Sequence, residues 1–275
     1  MGKLDSIAIL TDLDNTFFGT GAVPVPRNLR AIERFKAEGG LFSLSTGRMH
    51  YNLDRAVPGV REIVNAPAIL CNGTYLYDFA SGHVLSEITM DGEVAYRAVA
   101  FIKRRFPDSH IRVSFRGGYL LEEGDLTSIS EIVGYGIDAR TVLPFSEWRK
   151  DGWYKFVCTD HSENLREIRA ALEAEFPGVF EYNRSSDHLL EMQMKGTSKA
   201  SMLGAFREYY RRQGRTLKIY VCGDFENDAT ILRAADVAVC PSNALDSIRE
   251  ISDYCLCSND DGVIADLVEL LEKAE

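Results

Sequence analysis

Residues 7–16 read Ile7-Ala8-Ile9-Leu10-Thr11-Asp12-Leu13-Asp14-Asn15-Thr16, an unbroken apolar run that ends in two aspartates one residue apart. A strand with no polar alternation has no face to give to water, so it belongs inside a sheet covered on both sides. Side chains alternate along a strand, so Asp12 and Asp14 point the same way only while the chain stays extended. Where the backbone curls at the strand's carboxyl end, the two carboxylates serve one site from different positions. Two uncompensated negative charges are costly to bury. The remedies are a divalent cation, a basic partner or protonation of one carboxylate, and all three are ingredients of phosphoryl-transfer chemistry.

The same strand type recurs at both ends of the chain. Residues 41–45 and 68–71 read as further strands, and so do residues 217–222 and 237–240. Amphipathic segments separate them: a helix capped by Asn28 and closed by Gly39-Gly40, a short one after Arg48, one over residues 227–235, and a last one over residues 262–273. Strand–helix alternation predicts an α/β fold, a Rossmann-like parallel sheet core with helices on both faces. The middle differs. Ile111–Phe115 and Trp153–Val157 are longer and alternating, Gly117-Gly118 reads as a hairpin turn, and helices fall over residues 93–106 and 163–176. This predicts an α+β module of residues 82–194 with an antiparallel sheet, inserted into a discontinuous α/β domain of residues 1–81 and 195–275.

A formal charge of −10 argues against nucleic acid as a partner, which requires a basic face. An anionic substrate then needs local cations or a metal, and Lys195, Lys199 and Arg48 are the candidates. The six cysteines sit mostly in apolar runs, and Cys255 with Cys257 falls short of zinc spacing. The N-terminal residues lack a secretory apolar region, and no run approaches a membrane span. Gly2 and Ser6 match a myristoylation pattern only loosely, in an acidic chain without a polybasic stretch. A cytoplasmic protein with no membrane partner is expected.

Four patches stand at or just past strand ends, where open parallel sheets bind ligands. They are Asp12-x-Asp14-x-Thr16, Ser45-Thr46-Gly47-Arg48, Lys199 after Gly196-Thr197-Ser198, and Gly223-Asp224-Phe225-Glu226-Asn227-Asp228. Each alone is ordinary: acids near a strand end are often a solvated turn, and a lysine in a first helical turn usually faces water. Acids at a helix start also complement its dipole. Their joint order at strand ends is what lets them converge above one sheet.

With these motifs the chain resembles the haloacid dehalogenase superfamily, in particular its Cof-type sugar-phosphate phosphatases with a large α/β cap. Ile69-Leu70-Cys71-Asn72-Gly73 and Ser258-Asn259-Asp260-Asp261-Gly262-Val263 add to the resemblance. It implies that Asp12 is the nucleophile forming an aspartyl-phosphate and Asp14 the general acid, then base. Thr46, Gly47 and Lys199 would hold the phosphoryl oxygens, with Asn227 orienting Lys199 or the phosphate. Mg²⁺ would sit among the Asp12 carboxylate, the Asp14 main-chain carbonyl and Asp224, with Asp228 in support. A cation beside Asp12 removes the repulsion between carboxylate and phosphate, and hard oxygen donors suit Mg²⁺. Two positions and one loop depart from the family pattern. Asn15 and Ala200 stand where glycine is usual, and Cys240-Pro241-Ser242-Asn243-Ala244 stands where a Met-Gly-Asn-Ala type loop is usual, keeping its asparagine as Asn243. Asparagine tolerates left-handed backbone angles, so Asn15 is expected to do little damage.

The resemblance makes the inserted module a lid over the site, with Arg116, Asn183, Arg184, His188 and Glu191 as candidate specificity residues. Trp148 and Trp153 could stack on a sugar, although aromatics near strands are more often core. The expected function is Mg²⁺-dependent hydrolysis of a small phosphorylated metabolite such as a sugar phosphate. Two alternatives are a phosphomutase and a non-hydrolytic, receiver-type phosphate-binding protein. Receivers are half this length, lack an inserted cap and usually carry adjacent acids.

Overall fold

The computed structural model describes residues 2–274, and they divide into two compact units, residues 2–87 with 198–274 and residues 88–197. The first unit holds a five-stranded, all-parallel sheet. Its order is Tyr254–Leu256, Val237–Pro241, Lys218–Cys222, Ile7–Thr11, Leu41–Leu44. Every residue of Ile7–Thr11 is buried, as its unbroken apolar run requires. Ala8 and Leu10 join a cluster with Phe206, Ile231, Leu232 and Ile248, while Ile7 and Ile9 on the alternate face are also buried.

The strand order has a functional consequence. From Ile7–Thr11 the chain moves outward to Leu41–Leu44, then returns on the other side at Lys218–Cys222. The order therefore reverses between the strands that end in Asp12 and in Gly223-Asp224. Crevices at such a reversal, outside the carboxyl ends of the strands, are where open α/β sheets bind ligands.

Two local expectations are corrected. Asn28 does not cap a helix: the helix is Pro26–Ala37, with Pro26 in its first turn, where a missing N–H is harmless. Asn28 is instead buried inside it, accepting a hydrogen bond from Ala265 N at 3.0 Å and donating to Phe17 O at 3.3 Å. The strand expected over residues 68–71 does not continue the parallel ladder. Ala68–Leu70 touches the sheet through one parallel bridge, Ser45 to Ile69, and pairs antiparallel with Tyr75–Asp78, which pairs with His83–Glu87. Cys71 and Asn72 take positive φ values of 52° and 54°, which turns the chain straight back. The boundary expected at residue 82 falls within this meander, and the chain leaves the unit after Glu87.

The smaller unit is a six-stranded sheet ordered Arg140–Leu143, Gly118–Glu122, His110–Phe115, Trp153–Thr159, Leu189–Met194, Phe180–Ser186. All pairs are antiparallel except the first, Arg140–Leu143 with Gly118–Glu122. That pair is joined through the helix Leu126–Gly134, and parallel neighbours need such a crossover. The helices Gly92–Arg105 and Ser162–Glu175 supply Ala98, Ile102, Ile168 and Leu172 to a core shared with Ile111, Val113 and Phe156. Trp148 and Trp153 belong to this core too, ring centroids 6.0 Å apart, each indole N–H bonded to a backbone carbonyl. They are packing residues.

Candidate active site

Parallel strands end on the same edge of a sheet, so the ends after Thr11, Leu44, Cys222 and Pro241 lie side by side. The chain past Thr11 shows how one short motif gives its two acids different surroundings. Asp12 stays extended, its N–H bonded to Cys222 O at 2.8 Å, and its side chain is 11% exposed. A widened helical turn over Leu13–Phe17 follows, in which Asn15 adopts φ 57°. Asparagine accepts this left-handed position at modest cost, so it stands in for the expected glycine. The turn swings Asp14 out, leaving its side chain 53% exposed, against Arg48. Arg48 Nη2 donates to the two Asp14 oxygens at 2.8 and 3.1 Å.

Lys199 opens the turn Lys199–Met202, capped by Ser198, whose N–H bonds Ser201 Oγ at 2.9 Å. It does not face water as a first-turn lysine usually would. Its side chain is fully buried, and Nζ lies 2.6 Å from Asp12 Oδ1 and 2.6 Å from Asp228 Oδ1. Gly73 permits this approach: at φ 82°, any Cβ there would overlap the Ser198 main chain. Gly223 acts likewise for Asp228, since its Cβ would meet the Asp228 carboxylate carbon at 2.5 Å. Asp228 folds back so that Oδ2 accepts from Asp224 N at 3.1 Å and Phe225 N at 3.3 Å. Asp224 is fixed by Thr16, whose hydroxyl donates to Oδ1 at 2.6 Å.

Asp12, Asp224 and Asp228 each offer an oxygen, and these oxygens lie within 4.8 Å of one another. Three carboxylates face one ammonium. Burial, with the charges of Asp228 and Asp224, pushes the Asp12 carboxyl up to about 8 against the opposing pull of Lys199. Burial, with Asp228, pushes Asp224 up to about 6, opposed by the Thr16 hydrogen bond. Burial pulls the Lys199 ammonium down, but Asp12 and Asp228 outweigh it and hold the group above lysine's ordinary value. The surplus of negative charge on hard oxygen donors fits a divalent cation of the Mg²⁺ type. Asp12 and Asp224 are the carboxylates suited to hold it. Asp228 already spends both oxygens on Lys199 and the backbone, which makes it a support. The Asp14 carboxylate lies outside the acidic group; the sequence-based expectation there concerned its main-chain carbonyl.

Thr46 is buried on the neighbouring strand end, its N–H bonded to Ile69 O at 2.9 Å. Its hydroxyl accepts from Arg48 N at 3.3 Å, leaving the O–H proton to donate elsewhere. Gly47 is required by packing, because a Cβ there would meet Asn72 Oδ1 at 2.8 Å. Asn227 is half-buried in the turn Glu226–Asp228 and is not drawn into the hydrogen-bonded set around Lys199. Lys195 is not a site cation: it pairs with Glu181 in the smaller unit at 3.0 Å.

The arrangement can hold an anion against Lys199 and Thr46, with a buried carboxylate beside it and a second, more exposed one nearby. Thr16 and Arg48 stand in the sequence motifs, Arg48 as a candidate cation for an anionic substrate, but their side-chain partners Asp224 and Asp14 are not legible there. Spacing alone could not show them, because Asp224 is 208 residues from Thr16 and Asp14 is 34 from Arg48. In the smaller unit, Glu191 pairs with Lys155 at 2.7 Å, both buried, and Asn183 donates to Gln193 at 3.3 Å. Arg184 bonds Ser162 and Asp187, while Arg116 and His188 are exposed. Lys155 was missed because a lone lysine in an alternating strand carries no signal of its own.

A family model described as haloacid dehalogenase-like hydrolase matches residues 9–268. The 5-amino-6-(5-phospho-D-ribitylamino)uracil phosphatase YwtE of Bacillus subtilis (strain 168) is 23% identical, over 96% of this chain and 97% of that protein. The pyridoxal phosphate phosphatase YbhA of Escherichia coli (strain K12) is also 23% identical, over 94% of this chain and 96% of that protein. Among solved structures, the subclass IIB sugar phosphatase BT4131 shares the fold. Its TM-score is 0.78 at 18% identity, covering 97% of this chain and 99% of that one.

Proposed function

The chain belongs to the haloacid dehalogenase-like hydrolase family, and from that premise we propose that it is a Mg²⁺-dependent phosphatase working through an aspartyl-phosphate. Its family and its curated relatives make it a phosphoric monoester hydrolase of small phosphorylated metabolites. The finer reading rests on one observation above all: a buried carboxylate, Asp12, at a strand end, 2.6 Å from a fully buried lysine and grouped with Asp224 and Asp228. The two relatives are a pyridoxal phosphate phosphatase and a phosphoribitylamino-uracil phosphatase, and the structural neighbour is a sugar phosphatase. A sugar phosphate or similarly sized polar monoester is the substrate class we assign.

The reaction divides into two displacements. Lys199 and the Thr46 hydroxyl hold the phosphoryl oxygens and stabilise the charge that spreads over them. An Asp12 carboxylate oxygen attacks phosphorus as the ester oxygen leaves. Asp14, outside the acidic group, donates a proton to that oxygen. It then takes a proton from the water that attacks the aspartyl-phosphate, releasing phosphate and restoring Asp12. Asp12 and Asp224 would hold the Mg²⁺, which would supply charge neutralisation for the attack of a carboxylate on a phosphate. The unit of residues 88–197 we assign as the family's cap domain. A cytoplasmic setting accords with six free cysteines, and no described helix is long and apolar enough to cross a membrane.

The test is turnover of p-nitrophenyl phosphate with Mg²⁺, with EDTA, and by Asp12→Asn, followed by a panel of phosphorylated metabolites. Activity indifferent to both chelation and the substitution would overturn the reading.

A further inference from the structure

The segment just past Asp14 is held by side chains from two distant loops. Asn243, in the loop after the strand Val237–Pro241, donates from Nδ2 to Asn15 O at 3.0 Å. Its Oδ1 accepts from Asn259 N at 2.9 Å. Asn259, in the loop after Tyr254–Leu256, donates to Phe18 O at 3.0 Å. Phe17 O, between them, takes the Asn28 amide at 3.3 Å. One residue further, Asp260 Oδ2 accepts from the Thr20 hydroxyl at 2.8 Å and Oδ1 from Thr20 N at 2.6 Å.

From these contacts we infer that Asn243 and Asn259 form a carboxamide clasp that positions the turn carrying Asp12, Asp14 and Thr16. Asn243 and Asn259 are positioning residues: they act through main-chain carbonyls of the reactive turn. The physical need for them is local. Asn15 sits at φ 57°, a conformation an asparagine holds only against a cost that glycine avoids. The turn closes through Phe18 N to Leu13 O and through Phe17 N to Asp12 O, the latter long at 3.3 Å. An external donor on Asn15 O fixes the left-handed residue, and with it the direction in which Asp14 leaves the backbone. In the loop where Pro241 and Ser242 depart from the family pattern and Asn243 keeps it, Asn243 thereby acquires a role. The two ends of its side chain bridge two loops.

The inference rests on the catalytic reading of Asp12 and Asp14, so its test needs a measurement independent of catalysis. Asn243→Ala removes both bonds. Asn243→Asp keeps the acceptor for Asn259 N but cannot donate to Asn15 O. Asn243 is exposed, so both variants are expected to fold with little change in melting temperature. Amide hydrogen exchange of residues 15–20 in the full chain, without substrate, should accelerate in both variants while the strand Ile7–Thr11 stays protected. With p-nitrophenyl phosphate and Mg²⁺, kcat should fall about 10- to 100-fold and KM stay within about twofold, because misplacement affects the reacting geometry more than binding. Unchanged exchange in either variant, or a kcat within about twofold of the parent despite faster exchange, overturns the clasp. A parent protein without phosphatase activity would instead overturn the functional reading, and the exchange data would still decide whether the clasp holds the turn.

Discussion

The Lys199 ammonium lies 2.6 Å from Asp12 Oδ1 with its side chain wholly shielded from water. A buried cation so placed offsets the carboxylates of Asp12 and Asp228, and in the proposed mechanism it also faces the phosphoryl charge as that develops. Lys199→Met should lower kcat/KM about 100- to 1,000-fold, the scale of losing one preorganised electrostatic contact. It should also destabilise the protein more at pH 8 than at pH 5, since protons can replace the lost cation only at the lower pH. Steady-state kinetics and melting curves at both pH values check this.

The acidic group sets a pH dependence whose sign can be worked out. Asp12, raised from 3.8 to about 8, binds a proton in the folded state that the unfolded chain has already released. Its contribution is full below pH 3.8 and is lost as pH rises to about 8. Asp224 follows the same sign up to about 6. His50, lowered by burial from 6.5 to about 4, has the opposite sign, and its contribution is complete above 6.5. From pH 6.5 to 8, then, Asp12 is the shifted group that titrates, with a limiting slope of about 1.4 kcal/mol per pH unit. In EDTA the melting temperature should fall across this window. Excess Mg²⁺ should flatten the fall, and so should Asp12→Asn.

Arg48 grips the Asp14 carboxylate, and the assigned role of Asp14 is proton transfer to the leaving oxygen. The Arg48 charge favours the ionised form of Asp14 while its two hydrogen bonds fix the carboxyl's direction, so Arg48→Ala should act through lost positioning and lower turnover of an alkyl phosphate, whose leaving group needs that proton, by about 10-fold or more. Phosphoenzyme formation from p-nitrophenyl phosphate, whose leaving group does not, should change far less. Rapid-quench comparison of the two substrates reads the difference, and equal losses on both would remove Arg48 from this role.

Gly73 and Gly124 both take left-handed φ values, 82° and 87°, but only Gly73 has another part of the chain against it. Gly124→Ala should cost only the conformational penalty, about 1–2 kcal/mol. Gly73→Ala adds overlap with the Ser198 main chain, so it should be more destabilising and should displace Lys199. Urea midpoints with activity at matched folded fractions test the contrast.

Lys155 and Glu191 pair at 2.7 Å with side chains 6% and 8% exposed. Removing the lysine takes a close ion-pair partner from a buried carboxylate, so Lys155→Met should destabilise the protein by up to about 3–5 kcal/mol. The double change Lys155→Met with Glu191→Leu should recover most of that loss, because a well-packed apolar pair avoids the desolvation of two ions. Denaturant unfolding of the single and double variants decides it.

The parts legible in the sequence are those governed by local rules. An apolar run such as Ile7–Leu10 cannot tolerate water on either face, which is enough to read a central strand, and the acids beyond it mark a strand end. The misreadings share one cause. Asn28 looks like a cap, and residues 68–71 look like a parallel strand, until tertiary neighbours decide: Ala265 N claims the amide, and the positive φ of Cys71 and Asn72 turns the chain back.

Local rules thus account for the parallel core, the mainly antiparallel second unit and the strand-end positions of Asp12, Thr46 and Asp224, with Lys199 in the turn Lys199–Met202. The folding of the chain set how the charges pair. It turned Asp12 to Lys199 and Asp14 to Arg48, bound Asp224 to Thr16, and gave the carbonyl of Asn15 to Asn243. These partners are tens to hundreds of residues apart. Periodicity and turn chemistry report a residue's own backbone and exposure, whereas a hydrogen bond depends on where two distant strand ends meet.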